Sequence, residues 1–203
     1  MPKRITGVSA RLLDCAKEEF LNKGFQNASI RDIAEKADTS PRAVYTRFPD
    51  KEGLFTAIVE PVADEFLKFF QDFGNDFWDE QSKKTSVPEF SFDSIKIYLQ
   101  MIDFAYDHVD EFKLILKCSE GTRYSDFIEQ LTITNCKHVE KYNKEKGIYV
   151  SNFETMMKLL HMLTHSFYAG LFEPLLHDIS REEAHFYVEK LCEFFSYGIS
   201  GIM

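Results

Sequence analysis

The chain has 203 residues, 44% of them hydrophobic, with 20 phenylalanines against one tryptophan and a formal charge of -9. This composition supports a substantial buried core and excludes a disordered chain. No apolar run reaches the roughly 18 residues of a membrane span, and none follows the basic opening MPKRITGVSARLLDCAKEEF, so neither a spanning helix nor a secretory leader is expected. Four scattered cysteines, Cys15, Cys118, Cys136 and Cys192, form no CxxC pair, which suits a reducing, cytoplasmic compartment. Charge is unevenly placed: residues 1–60 hold ten Lys/Arg and nine Asp/Glu, whereas the remaining 143 hold 14 and 24. An acidic body with a near-neutral head suits a head that meets a polyanion and a body that does not.

Apolar residues spaced three and four apart from Val8 to Lys23 predict an amphipathic helix, stopped by Gly24. In ASIRDIAEKADTS, Ser29 stands three before Asp32 as a helix cap, and Ile30, Ile33, Ala34 and Ala37 form a buried stripe. Ser40 caps a third helix with Pro41 at its first position. Two short helices across a tight turn make a helix-turn-helix. A fourth helix opens at Lys51 and is expected to reach about Phe73, bent at Pro61. The polar stretch GNDFWDEQSKKTSVPEF is the linker candidate. Further helices are expected over 92–109, 111–118, 124–144 and 152–172, the last stopping before Pro174, and from Arg181 to the end. The fold class is all-α: a three-helix head, 1–52, joined to a larger helical body, 53–203, with about nine helices.

The segment SPRAVYTRFPDK concentrates cations in an acidic chain. On a wheel of about 100° per residue, Val44 and Phe48 share one face, while Arg42, Tyr45 and Thr46 share the opposite one, flanked by Arg47. These are donors suited to base edges and phosphates. Lys51 at the start of one helix, and Ser29 with Arg31 at the start of another, offer anion sites. A merely solvated face is the competing reading of the charges alone.

From Arg11 to Glu60 the chain resembles the DNA-binding head of the tetracycline-repressor (TetR) family. The resemblance lies in the helix ending Lys-Gly-Phe, the run Ser-Ile-Arg-Asp-Ile-Ala-Glu, the Val-Tyr-x-x-Phe of the third helix and the Asp-Lys-Glu-x-Leu-Phe opening of the fourth. It implies that Pro41, Arg42, Ala43 and Thr46 face bases, with the capping Ser40 also among the DNA-binding residues. It also implies that Tyr45, Arg47 and Lys51 grip phosphate and that Arg31, beside Ser29, reaches a base or a phosphate. The family turn usually reads Ala-Gly-Val-Ser, and here it is Ala37-Asp38-Thr39-Ser40. Aspartate enters the left-handed conformation less readily than glycine.

The resemblance further implies a homodimer bound to a palindromic double-stranded DNA operator, most often as a repressor, and a small effector in the body. The last two helices supply the dimer candidates Met156, Leu160, Leu163, Phe167, Leu171, Tyr187, Leu191, Phe194, Phe195, Gly198 and Ile202. Aromatic and methionine residues crowd the body, Trp78 and Tyr106 among them. An apolar or aromatic effector is expected against Phe66, Phe70, Phe104, Phe127, Met157, His161, His165 and Tyr168. His161 and His165 have metal-ligand spacing but lack the glutamate of HExxH, so no metal is expected, nor any cofactor or catalytic residue. The rival readings are a small helical enzyme or a protein-interaction module that keeps the pocket without operator binding.

Overall fold

Apolar positions recurring three and four apart turn the chain into helices wherever they persist. The computed structural model describes residues 8–83, 92–148 and 152–200, and within them it holds nine helices and no strand. In chain order these are α1 (Val8–Asn27), α2 (Ile30–Lys36), α3 (Pro41–Arg47), α4 (Lys51–Lys83), α5 (Phe92–Asp107), α6 (Val109–Lys117), α7 (Phe127–Lys146), α8 (Phe153–Leu176) and α9 (Arg181–Ser200). The chain divides into two compact units, Met1–Asp64 with His108–Ser125, and Glu65–Asp107 with Asp126–Met203.

In the first unit, α1 packs on α2 and α6, and α2 on α3. Its core is aromatic. Phe55, fully buried, meets Phe20 edge-on at 5.1 Å, Phe25 at 5.5 Å and Tyr124 at 6.2 Å. Truncating such a ring to alanine costs about 3–5 kcal/mol. Gly24 has φ 72° and ψ 165°, backbone that is nearly restricted to glycine, so α1 breaks there as the sequence suggested. The break turns the Phe25 N–H toward the Cys118 carbonyl, 2.8 Å away. Lys17 pairs with Asp110 and Glu111 of α6 at 3.3 and 3.2 Å. Arg123, in the turn after α6, donates to Glu60 and to the Tyr124 hydroxyl, and its backbone N–H donates to Glu52.

In the second unit, α7 packs on α8, and α5, α8 and α9 pack on one another. Buried Phe66 sits at the centre of a ring cluster, 5.5 Å from Phe104 and 5.9 Å from both Phe127 and Phe172. The α8–α9 turn is fastened to α5. Tyr106 donates to the Ile179 carbonyl at 2.6 Å, His185 reaches Asp103 at 2.8 Å, and Arg181 pairs with Asp107.

Two expected helix ends move most. Helix α4 does not end near Phe73 but continues to Lys83, so only 84–90 of the expected linker lie outside the described residues. Phe73, Phe77 and Trp78 carry the helical spacing onward, with Phe77 5.8 Å from Phe73 and edge-on to Trp78 at 5.3 Å. Pro61 lies inside α4 without ending it. Its ring is on the exposed side, where water satisfies the one carbonyl left without an N–H. Likewise α8 passes through Pro174 and ends at Leu176, because in a last turn a single lost bond costs little.

Candidate nucleic-acid interface and body cavity

The helix-turn-helix is set by local hydrogen bonds. Ser29 Oγ accepts the Asp32 N–H at 3.3 Å, and Ser40 Oγ accepts the Ala43 N–H at 3.2 Å. Each serine has extended backbone angles and so caps its helix. Between them, Thr39 N–H donates to the Ala34 carbonyl at 2.9 Å and Asp38 N–H to Glu35 at 3.1 Å, the paired bonds of a Schellman turn. Asp38 occupies the left-handed position, with φ 54°. Val44 is fully buried and anchors α3. Phe48 lies just beyond the helix with extended angles and is half-buried.

This leaves one face of α3 in solvent. Pro41, Arg42, Tyr45, Thr46 and Arg47 are exposed, Ala43 is half-buried, and Tyr45 keeps 53% of its surface. Thr46 Oγ1 donates to the Arg42 carbonyl at 2.9 Å, and Arg47 Nη1 to the Ala43 carbonyl at 2.8 Å, which holds both side chains along the helix. The Arg42 and Arg31 guanidinium groups make no side-chain contact among the described residues.

Between α1 and α2 lies a buried carboxylate. Glu19 is 1% exposed, with Lys23 2.6 Å from Oε1 and Lys36 3.0 Å from Oε2. The Lys23 contact is a close ion pair. Burial pushes the Glu19 carboxyl up, but the two ammonium groups outweigh it and hold the group below the usual glutamate range. Lys23 also reaches Asp32 at 3.0 Å, so one cluster ties α1 to α2.

Lys51 sits where the sequence does not suggest. Its ammonium donates to the Gln26 carbonyl at 2.9 Å and the Ala28 carbonyl at 3.1 Å, and lies 4.8 Å from the centre of the Phe25 ring. It therefore fastens the end of α1 to the start of α4. Two of its three donors are used, and one remains.

In the second unit a cavity of about 180 Å3 opens among α4, α5, α7, α8 and α9. Of the residues expected to hold an effector, Phe70 and Tyr168 are walls of it. Phe66, Phe104 and Phe127 belong instead to the ring cluster of the core. On α8 the walls are Leu160, Leu163, Thr164, Phe167 and Tyr168, so His161 and His165 fall one step off that face and Met157 one turn before it. The two histidines face Glu129, at 2.9 and 3.3 Å. Among the described residues no group of three His, Cys, Asp or Glu is placed to hold a metal ion.

Trp78, one of the aromatics crowding the body in the sequence, lines the cavity, as do Tyr98, Asn135 and His138, which were not anticipated as its walls. The three-and-four spacing of Phe70, Phe73 and Phe77 was the available signal for the α4 wall. A methyl at Gly74 would stand 2.6 Å from the His138 ring, so glycine lets that ring lie on the α4 backbone. Burial, with the nearby Lys141 charge, holds His138 below its ordinary value, whereas burial pushes the Tyr98 and Tyr168 hydroxyls up.

The dimer candidates also divide. Phe167 and Leu171 are buried within the chain, and Leu160, Leu163 and Phe195 are cavity walls. Tyr187 and Leu191 are half-buried, while Met156, Phe194 and Gly198 are exposed. Ile202 lies outside the described residues. Met162, Phe186 and Tyr197, absent from the expected set, are exposed at 65%, 64% and 80%.

Residues 12–58 match the model of the family described as bacterial regulatory proteins, tetR family. Over that stretch the chain is similar to the family's DNA-binding segment. It is 40% identical over 60 residues to YvdT, an uncharacterised HTH-type transcriptional regulator of Bacillus subtilis strain 168, a stretch covering 30% of this chain and 31% of that protein. Matches to the first curated relatives span 29% to 62% of those proteins' own lengths. Among solved structures, a transcriptional regulator from Aquifex aeolicus VF5 is similar at 24% identity and a TM-score of 0.53, covering 97% of this chain and 100% of that one. A cysteine mutant of the TetR-family regulator CifR, complexed with 26bp double-strand operator DNA, is similar at 16% identity and a TM-score of 0.58, covering 95% and 98%. Both likenesses, under 25% identity, are of the fold alone.

Proposed function

We propose that the chain is a DNA-binding transcriptional regulator that recognises a palindromic operator as a homodimer, represses from it, and is released by a small effector. The observation that carries this reading is the solvent face of α3. Three lysines of the same unit are committed, Lys23 and Lys36 to Glu19 and Lys51 to backbone carbonyls. Arg42 and Arg31 are held in place by capped helices yet have no side-chain partner. In this reading Ser40, Pro41, Arg42, Ala43 and Thr46 meet base edges in the major groove, while Ser29, Arg31, Tyr45, Arg47 and the remaining Lys51 donor take phosphates. The head is then residues 1–52 and the body 53–203.

Dimerisation draws support from the exposed apolar residues of α8 and α9, Met156, Met162, Phe186, Phe194 and Tyr197, because large apolar surfaces in water mark an interface. A pair of heads one DNA turn apart, about 34 Å, reads two half-sites. The effector seat is the α4–α9 cavity, and release is a population shift that requires different effector affinity in the two states.

The test is fluorescence anisotropy with duplexes from around the protein's own gene, over a series of salt concentrations. Wild type binds one duplex selectively, with affinity falling steeply in salt. Arg42→Ala loses about 1–3 kcal/mol on that duplex and little on unrelated ones. Absence of duplex binding at low salt would refute the proposal.

A further inference from the structure

The cavity walls carry no aspartate, glutamate, lysine or arginine. A ligand bearing a full charge would therefore lose its hydration without gaining a counter-charge, which is costly in a largely apolar space. The walls are instead strongly aromatic. Phe167 packs edge-on against Tyr98 at 4.6 Å and Phe195 at 5.3 Å, and Tyr168 against Phe70 at 5.5 Å. Burial keeps the Tyr98 and Tyr168 hydroxyls protonated and His138 neutral near pH 7, so the titratable walls add no charge either.

Two walls break the apolar pattern. Asn135 on α7 and Thr164 on α8 both face the cavity, and neither side chain makes a hydrogen bond among the described residues. Thr164 is 8% exposed. A near-buried hydroxyl that leaves its hydrogen-bonding capacity unused costs free energy unless something in the cavity takes it up. Size narrows the choice further. A dry cavity of roughly 150 Å3 accommodates benzene, so 180 Å3 has room for a single ring with a small substituent.

We propose that the cavity takes an uncharged, single-ring-sized apolar molecule with one hydrogen-bonding substituent, which the Asn135 amide and Thr164 hydroxyl engage while the aromatic walls hold the ring. This rests on reading the cavity as the effector seat and adds the chemical class of the effector. Aromatic walls alone would also suit a quaternary ammonium. Such a cation offers no hydrogen bond to the Asn135 amide or the Thr164 hydroxyl.

The test titrates the full-length protein with benzene, phenol, benzoate and benzyltrimethylammonium, by calorimetry and by the emission of Trp78, the sole tryptophan and itself a cavity wall. Phenol is expected to bind about three- to tenfold tighter than benzene, and each ion at least about tenfold weaker than phenol. Asn135→Leu and Thr164→Val, both near-isosteric, each bring phenol toward benzene and leave benzene unchanged. Either variant suffices should the other fail to fold. Benzoate or the ammonium binding as tightly as phenol overturns the proposed class while the cavity stands as a ligand site. Failure of all four to bind or to alter Trp78 emission overturns the cavity reading itself. Variants that weaken benzene and phenol alike overturn the assignment of Asn135 and Thr164.

Discussion

Replacing Lys51 by methionine keeps most of the side-chain stem beside Phe25 and removes the ammonium. That group makes two charge-assisted hydrogen bonds, at 2.9 and 3.1 Å, to the Gln26 and Ala28 carbonyls, with the Phe25 ring 4.8 Å below. Bonds to a charged donor contribute about 1.5–3 kcal/mol each, and a cation over a ring about 0.5–1 kcal/mol more at an exposed site. These terms do not add. Gln26 is exposed, so its carbonyl regains water once the lysine is gone. The expected net cost is about 2 kcal/mol, or a fall of roughly 4–8 °C in Tm for a chain of this size. Urea titration followed by circular dichroism measures the stability. Anisotropy at several salt concentrations, on folded protein, measures the phosphate contact. A single lost contact flattens the slope of log affinity against log salt by about 0.9. Unchanged urea stability would refute the structural role of the ammonium. An unchanged salt slope would refute the assignment of its third donor to phosphate.

Asp38→Gly relieves the left-handed backbone at φ 54° and raises stability by about 0.5 kcal/mol, whereas Asp38→Ala, which lacks the polar group that eases this conformation, lowers it by about 1 kcal/mol. Equal urea midpoints for the two variants would contradict the turn geometry. Glu19 is held below its ordinary value in the folded state, so its contribution is complete above the unfolded value and lost as pH falls through the folded one. Glu19→Gln therefore costs about 1–2 kcal/mol at pH 7 and progressively less below about pH 4.5. Urea midpoints at pH 7, 5 and 4 read the difference, and a gap that widens in acid would reverse the assignment. Phe194→Ser with Tyr197→Ser shifts sedimentation from dimer toward monomer at micromolar concentration. A double variant that sediments unchanged would exclude this part of α9 from the interface.

The head was legible because its signals are local. Ser29, Ser40 and Pro41 sit a few residues from the N–H groups they serve, and the capping bonds form as read. The left-handed strain at Asp38 was also visible, since only a few residue types enter that conformation and the turn had to be there. Lys51 was not legible in the same way. Its partners lie 23 and 25 residues upstream, and a lysine at a helix start reads as an anion site until the end of α1 is placed beside it. The cavity was hidden for a similar reason. Five helices contribute its walls, and the spacing on α8 alone cannot say which of two adjacent faces looks inward. The polarity of 74–83 suggested a linker, but Phe77 and Trp78 were enough to hold those residues in α4.

The first compact unit is assembled from two separate pieces of chain, Met1–Asp64 and His108–Ser125. During synthesis the head therefore cannot close its core when its own three helices have emerged. Tyr124, which packs on Phe55, and α6, which packs on α1, are still to be translated. At roughly 5–20 residues per second, the stretch from Asp64 to Ser125 takes on the order of 3 to 12 s. For that interval Phe20, Phe25 and Phe55 lack part of their cover on the ribosome, a window in which chaperones and proteases meet the nascent head.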